Sequence, residues 1–343
     1  MALIEAVPNI SEGRDESIID AVVKSVEAGG STILGVEPDV DYNRTVITYA
    51  GNKAEVTRSS VNLVETASKL IDMRNHHGNH PRMGAVDVMP FIALGESTDK
   101  DAERVAEDVY QILADDYSLF KYGLSASHPS RARLPSLRKG EYEGLTSRFS
   151  GGDWPNEDTR LPDNWDGATK PTCLEFGAMA IGARSVLVAY NINIIEAEPK
   201  VSSMVAKVIR SSGFVLRGHS TKKMRVKGIL DYVQGMGVPL ESHGISQVSM
   251  NLSNPSETGL HMAFEVVRVI AESMGVEVRG SEIVGLVPLQ AMLDAGSWFN
   301  GGHDSEESLV LKAIEGLGLD QLTPFDPDSR IIEWAVRNKR GAL

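Results

Sequence analysis

Apolar and polar positions along the chain predict the same succession of elements twice. In the first half, short apolar runs predict strands at residues 4–7, 32–36, 45–50 and 85–93. Apolar residues at helical spacing predict helices at residues 18–26 and 55–71, and a further helix at 99–114 precedes a strand at 119–124. Gly29 and Gly30 end the first of these helices. The first half therefore has the order β-α-β-β-α-β.

The second half repeats this order. Apolar runs predict strands at residues 185–191, 225–233, 245–252 and 278–287. One helix is predicted after Pro199 and a second at residues 256–275, and a shorter one follows at 308–317. This succession is typical of a ferredoxin-like unit. We therefore predict an α/β (α+β) chain of two related ferredoxin-like subdomains, with mixed β-sheets and the helices on the outside.

The predicted subdomains are an N-terminal one at residues 1–184, a C-terminal one at 185–335 and a tail at 336–343. Residues 125–172 have a different character, because they are rich in Ser, Gly, Pro, Arg and Trp and show little periodicity. Loops of this length are usually functional or disordered. Trp154 and Trp165 favour an ordered loop, since disordered linkers lack aromatic residues.

Composition narrows the possible partners. The chain has 34 basic and 47 acidic residues, and the resulting charge of −13 disfavours nucleic-acid binding. No apolar run is long enough to span a bilayer, and the first residues lack the pattern of a secretory signal. Cys173 is the only cysteine, so no internal disulfide can form. We expect a cytoplasmic protein with no membrane partner.

The strongest candidate for chemistry is a histidine loop between the helix at 55–71 and the strand at 85–93. It holds His76, His77 and His80, three of the eight histidines in the chain. Imidazole titrates near neutrality and can both accept and donate a proton, although a loop histidine can also merely cap the backbone. Gly78 and Pro81 prevent the helical spacing found in HExxH zinc sites, so we predict no metal.

Several motifs together resemble one family. They are HHGNHPRMGAVDVMPF at 76–91, AVPNISEG at 6–13, NRTV at 43–46, GAR at 182–184, AYNIN at 189–193 and VGLVPL at 284–289. In their order along the chain these motifs resemble the formiminotransferase domain of glutamate formimidoyltransferases, from about residue 3 to about residue 335. The resemblance also implies that the sheets of the two subdomains face one another and that the chain forms a homodimer.

The resemblance implies a reaction and a catalytic residue. The formimino group of N-formimino-L-glutamate would move to N5 of tetrahydrofolate, giving 5-formimidoyltetrahydrofolate and L-glutamate, in histidine degradation. The family's catalytic histidine precedes Pro-Arg-Met-Gly, which is His80 here, and His77 is auxiliary. Some relatives continue into a cyclodeaminase. We expect that activity to be absent from this chain, so a separate cyclodeaminase would act on the product.

The anionic substrates need cationic partners. Arg44 and Arg82 are our candidates, because guanidinium binds carboxylate bidentately, and the alternative for either is an ion pair with Glu37, Asp39 or Asp41. Three asparagines at predicted strand ends are candidates to orient ligand amides, and buried asparagines also commonly bond the backbone. These are Asn9, Asn191 and Asn193.

The resemblance places folate binding just before the GAR motif. The residues there are Ala168, Thr169, Lys170, Pro171, Thr172, Cys173, Leu174, Glu175, Phe176 and Gly177. This segment departs from the pattern of relatives, but Phe176 and the nearby backbone offer a flat apolar face and polar edges for a pterin.

Two alternatives to formimino transfer stay open from the sequence. One is formyl transfer between 5-formyltetrahydrofolate and glutamate, because amidine and formyl carbons differ only in NH versus O. The other is a folate-binding protein without turnover, which would have no need of a loop imidazole beside the pterin.

Overall fold

The chain folds into two compact units. The computed structural model describes residues 2–152, 154, 156–217, 223–301 and 304–341. Unit 1 holds the described residues up to Ser185 and those from Lys339 onward, and unit 2 runs from Val186 to Asn338.

Unit 1 contains the elements predicted for the first half. Its strands are β1 (Ala2–Ala6), β2 (Asn9–Ile10), β3 (Thr32–Asp39), β4 (Arg44–Gly51), β5 (Val86–Gly95), β6 (Ser118–Lys121) and β7 (Ala178–Ala183). Its helices are α1 (Glu16–Ala28), α2 (Lys53–Leu70), α3 (Asp99–Leu113), α4 (Leu134–Arg138) and α5 (Leu145–Phe149). Local capping sets two of the helix starts, because Asp15 accepts from two N–H groups of α1 and Asn52 forms a capping box with Glu55.

The strands of unit 1 form one mixed sheet. Strands β1 and β2 together fill one position of the sheet, because each pairs with β4 on one side and with β5 on the other. Strand β3 pairs with the other edge of β4. These strands are antiparallel, as a ferredoxin-like unit requires. Strand β7 then pairs parallel with β5 and with β6. Strand β7 was not predicted, since its sequence AMAIGA is buried on both faces and shows no alternation.

Each face of this sheet has its own cover. Helices α1, α2 and α3 bury one face in an apolar core that includes Ile47, Leu63, Val105 and Phe91. The other face, over β5, β6 and β7, packs against α4, α5 and the irregular chain around them.

A buried arginine orders this irregular chain. Arg148 is 2% exposed and donates to the carbonyls of Leu137, Thr159 and Arg160. Its guanidinium lies 4.4 Å from the ring centroid of Phe120 and 4.3 Å from that of Trp154. The ordered loop favoured by the tryptophans is therefore present, and an arginine holds it together.

Unit 2 has the second set of elements. Its strands are β8 (Val188–Ile194), β9 (Phe214–Arg217), β10 (Lys223–Val226), β11 (Val233–Leu240), β12 (Ile245–Leu252) and β13 (Val278–Val284). Its helices are α6 (Lys200–Ile209), α7 (Leu260–Ser273), α8 (Leu289–Asn300), α9 (Glu306–Leu317), α10 (Pro327–Arg330) and α11 (Ile332–Gly341), whose end belongs to unit 1.

The main sheet of unit 2 repeats the arrangement found in unit 1. Its order is β11-β12-β8-β13, which matches β3-β4-β1-β5 of unit 1 strand for strand. The predicted pair of ferredoxin-like units is thus confirmed. Unit 1 has the predicted mixed sheet, whereas these four strands of unit 2 pair only antiparallel, because unit 2 has no described counterpart of β6 and β7.

One strand prediction in unit 2 was wrong. Of the predicted residues 225–233, only Val233 enters the main sheet, as the first residue of β11, since β10 pairs with β9 in a separate ribbon. Strand β11 was not predicted because it contains Gly235, Gly237 and Pro239. Glycine and proline are rare inside strands, although they are tolerated in a strand at the edge of a sheet. Gly237 is required there, since an added Cβ would lie 2.2 Å from the backbone nitrogen of Ser203.

The C-terminal residues continue as helix. Residues 336–341 form the end of α11, where the side chain of Lys339 donates to the carbonyl of Ile33 and Arg340 pairs with Glu55 at 2.7 Å. The tail prediction at 342–343 lies outside the described residues. No helix in the described ranges has the length and apolar character to cross a membrane.

Candidate active site

The histidine loop, residues 71–85, is fastened at both ends to residues 175–178. At one end the N–H of Met73 donates to the carbonyl of Glu175 at 2.8 Å. At the other end the N–H of Ala85 donates to the carbonyl of Phe176 at 2.7 Å, and the N–H of Ala178 donates to the carbonyl of Met83 at 3.0 Å. The loop therefore has a fixed path, and it borders the segment that the sequence predicts to bind folate.

His80 is a buried, uncharged imidazole. The residue is 8% exposed, and its ring meets the ring of Tyr42 edge-on at a centroid distance of 6.4 Å. Burial, followed by the positive charges of Arg138 and Arg44, lowers the pKa of His80 to about 4. Within the described part of the chain its ring nitrogens have no hydrogen-bond partner. His80 is therefore an open proton acceptor at neutral pH.

The other two histidines have different environments. His76 is also buried, and its Nε2 donates to the carbonyl of Asn43 at 3.0 Å while its Nδ1 accepts from Nε of Arg82 at 3.1 Å. Burial lowers the pKa of His76, so the neutral tautomer is held by both contacts. His77 is exposed, and its carbonyl accepts from the Asn43 side chain at 3.0 Å. Neither imidazole is placed like that of His80.

Arg82 is buried and fully bonded. Its two Nη atoms bind the carboxylate of Glu143 at 2.6 and 3.0 Å, and Nη1 also lies 3.3 Å from Glu141. The acidic partners considered from the sequence, Glu37, Asp39 and Asp41, were therefore the wrong ones. Both true partners come from the irregular chain between α4 and α5, whose position no periodicity predicts.

Arg44 has no carboxylate partner among the described residues. Its guanidinium carbon lies 5.8 Å from the ring centroid of Tyr42, and its buried Nε has no hydrogen-bond acceptor. The predicted alternative, an ion pair with Glu37, Asp39 or Asp41, is absent from the described ion pairs. Asn43 places Arg44 by adopting a φ of 51° and accepting the N–H of Gly13 at 3.0 Å.

Asp87 and Arg138 are site residues that sequence reasoning missed. Asp87 lies on β5, is 1% exposed, accepts the N–H of Met83 at 2.9 Å and pairs with Arg138. Burial raises the pKa of Asp87, and the Arg138 charge and the Met83 N–H oppose that rise. The sequence did contain a signal for this pair, because Asp87 is a carboxylate inside an otherwise apolar strand. A buried charge of this kind needs a partner of opposite charge.

The segment at 168–177 has two parts. Residues 168–171 are mostly exposed, whereas 172–177 pack beside the histidine loop. Phe176 is fully buried, with its ring 4.6 Å from that of Tyr117, so the expected apolar face for a pterin is wrong for this side chain. Glu175 forms an ion pair with Arg74 of the histidine loop at 2.8 Å. Apart from Leu174, which is 55% exposed, only backbone and polar atoms of this part can face a ligand.

The three asparagines have unlike settings. Asn9, on β2 of unit 1, is partly exposed, and the described residues provide no hydrogen bond to its side chain. Asn191 lies in the middle of β8 of unit 2, so its predicted position at a strand end is wrong, whereas Asn193 is the penultimate residue of that strand. Asn193 is 1% exposed and bonds the side chain of Gln247 at 2.9 Å, while Asn191 is partly exposed on the same face.

The described residues contain no cluster of three or more His, Cys, Asp or Glu side chains that could hold a metal. Both ring nitrogens of His76 already have hydrogen-bond partners, so neither is available as a metal ligand in this arrangement. The site is thus an uncharged imidazole surrounded by arginines.

Fold and site together define a class of protein: two ferredoxin-like units, the first carrying a buried histidine close to the charges of three arginines. The family model for the formiminotransferase domain, N-terminal subdomain, matches residues 3–184, and that for the formiminotransferase domain matches residues 189–337. The chain therefore belongs to the formiminotransferase domain family.

Individual relatives agree with this assignment. The glutamate formimidoyltransferase of Streptococcus pyogenes serotype M1 is 34% identical over 87% of this chain and 93% of its own length. That of Thermoplasma acidophilum is 31% identical over 91% of this chain and 97% of its own length. The formimidoyltransferase-cyclodeaminase of Dictyostelium discoideum is 37% identical over 98% of this chain, which spans 60% of that relative's length.

Proposed function

We propose that the protein transfers the formimino group of N-formimino-L-glutamate to N5 of tetrahydrofolate, with tetrahydrofolate as co-substrate. The observation that carries this proposal is the buried, unprotonated imidazole of His80 beside Arg44. The names of the two relatives aligned over nearly their whole length support the choice of substrates.

The reaction needs one group that first accepts and then donates a proton. N5 attacks the amidine carbon, and a tetrahedral intermediate forms. His80 accepts the proton that N5 loses and delivers it to the glutamate nitrogen as the carbon–nitrogen bond to glutamate breaks. The lowered pKa means that the ring is uncharged, and so able to accept a proton, when the substrates arrive. The imidazolium that forms is a strong acid for the second step.

Arg44 and Arg82 remain our candidates for the carboxylates of the donor. The unpaired guanidinium of Arg44 supports its role directly. Arg82 must first exchange its bond to the Glu143 carboxylate for a bond to the substrate carboxylate. The side chain of Glu143 is 62% exposed, so its carboxylate can be solvated by water instead. Asn9, Asn191 and Asn193 remain candidates for ligand amides, and Asn193 would need to give up its bond to Gln247.

For folate, the proposed segment remains 168–177. Its support is the backbone pairing of residues 175–177 with both ends of the histidine loop, which brings the segment close to the proposed catalytic residue. Phe176 would act there only through its backbone.

A donor screen tests the proposal. Purified protein and tetrahydrofolate are incubated with N-formimino-L-glutamate or N-formyl-L-glutamate, and the folate product and glutamate are quantified. We expect turnover with the formimino donor. Turnover with only the formyl donor would support formyl transfer, and folate binding without turnover of either donor would support a binding protein. The homodimer, the separate cyclodeaminase, the place in histidine degradation and the cytoplasmic location stay predictions.

A further inference from the structure

Two arginine side chains in unit 1 have a buried N–H group that nothing in the described structure accepts. They are Arg44 and Arg138, and in each the atom is Nε. A buried guanidinium N–H without an acceptor is costly and uncommon. Both residues lie close enough to His80 for their charges to act on its imidazole. The unused donors therefore lie at the proposed catalytic residue, where an anionic ligand would accept them.

Arg138 is held so that only part of its guanidinium is used. Its Nη2 pairs with the carboxylate of Asp87, which is 1% exposed and anchored by the N–H of Met83. Met83 follows His80 by three residues, so this pair is tied to the histidine loop itself. Asp87 is the only acceptor that the described residues provide for Arg138. The pair therefore orients Arg138 and leaves Nε available.

Arg44 approaches His80 through a different neighbour. The ring of Tyr42 lies against the guanidinium of Arg44 and meets the ring of His80 edge-on. Arg82, the third arginine near His80, differs from both, because the carboxylate of Glu143 and the imidazole of His76 already accept its donors. Two guanidinium groups, each with an Nε that nothing in the described structure accepts, thus lie within electrostatic reach of one imidazole, and the donor proposed above carries two carboxylates.

We propose that Arg138 is a specificity-determining residue that binds one carboxylate of a dicarboxylate donor, with Arg82 as a weaker second partner of the same carboxylate, while Arg44 binds the other. This inference rests on the proposed function, since it names which residues recognise that donor. A donor with one carboxylate would leave one of the two buried N–H groups unpaired. Discrimination by unpaired buried donors is strong, because a site built to bond a group is penalised when the group is missing.

The test compares three donors: N-formimino-L-glutamate and its two monoamides, the glutamine and isoglutamine derivatives. We expect the wild-type protein to prefer the dicarboxylate to either amide. Arg138→Gln should reduce the preference over one amide by about 10- to 100-fold, mostly through KM, and leave the preference over the other unchanged. Arg44→Gln should show the opposite pattern. Arg133→Gln is the matched control, because Arg133 is exposed in the same segment, and it should preserve both preferences.

A second variant guards against misfolding, since Arg138→Gln leaves Asp87 buried without its cation. The double variant Asp87→Asn, Arg138→Gln removes both charges and should lose the same preference. Calorimetric binding of N-formimino-L-glutamate without folate gives a readout that does not depend on turnover, and the variants should bind it about 10-fold or more weakly. If folded Arg138 variants keep both the donor preference and the binding of the dicarboxylate, this inference is overturned but the proposed function is not. A wild-type protein that neither binds nor converts the dicarboxylate would overturn the proposed function itself.

Discussion

Nε of Arg82 donates to Nδ1 of His76 across 3.1 Å, and Nε2 of the same imidazole donates to the carbonyl of Asn43. Both nitrogens of His76 are therefore committed to neighbours, and the ring is fixed in one tautomer. In this arrangement His76 orients Arg82, and His80 is the loop histidine that is buried and free to accept a proton.

His76→Ala should separate orientation from proton transfer. We expect KM for N-formimino-L-glutamate to rise about 3- to 10-fold, because Arg82 loses an acceptor worth roughly one hydrogen bond, while kcat changes little. Steady-state kinetics at saturating tetrahydrofolate measure both constants. A fall in kcat as large as that for His80→Ala would assign His76 to the chemistry instead.

His80→Ala should lower kcat by about two to four powers of ten, the usual contribution of general acid–base catalysis, and should leave folate binding intact. His77→Ala is the matched control, because His77 is exposed on the same loop, and its turnover should be near normal. Circular dichroism establishes that both variants fold. Near-normal turnover by a folded His80→Ala protein would remove His80 from the mechanism and favour the binding-protein alternative.

On acidification, activity should fall, forming the acid limb of its pH profile, only at a pH below the usual pKa range of histidine. The pKa of His80 is lowered to about 4, so the base form persists above that pH and is lost as the pH falls through it. We expect kcat/KM to report this limb in the free protein. Arg138→Gln should move the limb to higher pH, because one of the positive charges that oppose protonation is gone. Arg133→Gln should not move it, and equal limbs in all three proteins would contradict the assignment.

Arg44→Ala should raise KM for N-formimino-L-glutamate more than Arg82→Ala does, because Arg82 already has carboxylate partners and Arg44 has none within the described part of the chain. Both changes should affect KM for the donor more than KM for folate. The wild-type KM for the donor should also rise with salt, although the chain carries a charge of −13, since local arginines provide the attraction. A KM for the donor that neither variant alters would exclude both arginines as its carboxylate partners.

Phe176→Ala should destabilise unit 1 by about 3–5 kcal/mol, as expected for a large side chain removed from a packed core. Chemical denaturation monitored by Trp fluorescence measures the loss, and Leu174→Ala is the control because Leu174 is 55% exposed. The control should change stability by about 0.5 kcal/mol or less. A small loss for Phe176→Ala combined with abolished folate binding would show instead that the ring contacts the pterin.

The sequence predicted the scaffold better than the site because the two depend on different information. Helix α2 and strands β4 and β12 follow from periodicity, since their apolar positions repeat with the period of the element. Strand β11 did not follow, because its glycines and proline serve tertiary packing and an edge position. Periodicity indicates which side of a helix or strand is buried, but it does not predict the path of a segment without regular secondary structure.

The site depends on such irregular chain. His80 and Arg44 were found because each lies in a local motif, NHPRMG or NRTV. Arg138, Glu141 and Glu143 come from a segment more than fifty residues further along, and their contacts with Asp87 and Arg82 depend on how Arg148 orders that segment. Such long-range pairing of charges cannot be deduced from spacing alone.

The shared strand order of the two units has an evolutionary meaning. A chain whose halves repeat one topology is most simply the product of a gene duplication, and the copies can then be compared connection by connection. Between α2 and β5 the first copy carries residues 71–85, with every histidine of the proposed site, whereas between α7 and β13 the second copy has only residues 274–277. The histidine loop therefore occupies a position where the ancestral unit tolerated a change of length, and only one descendant half made use of it.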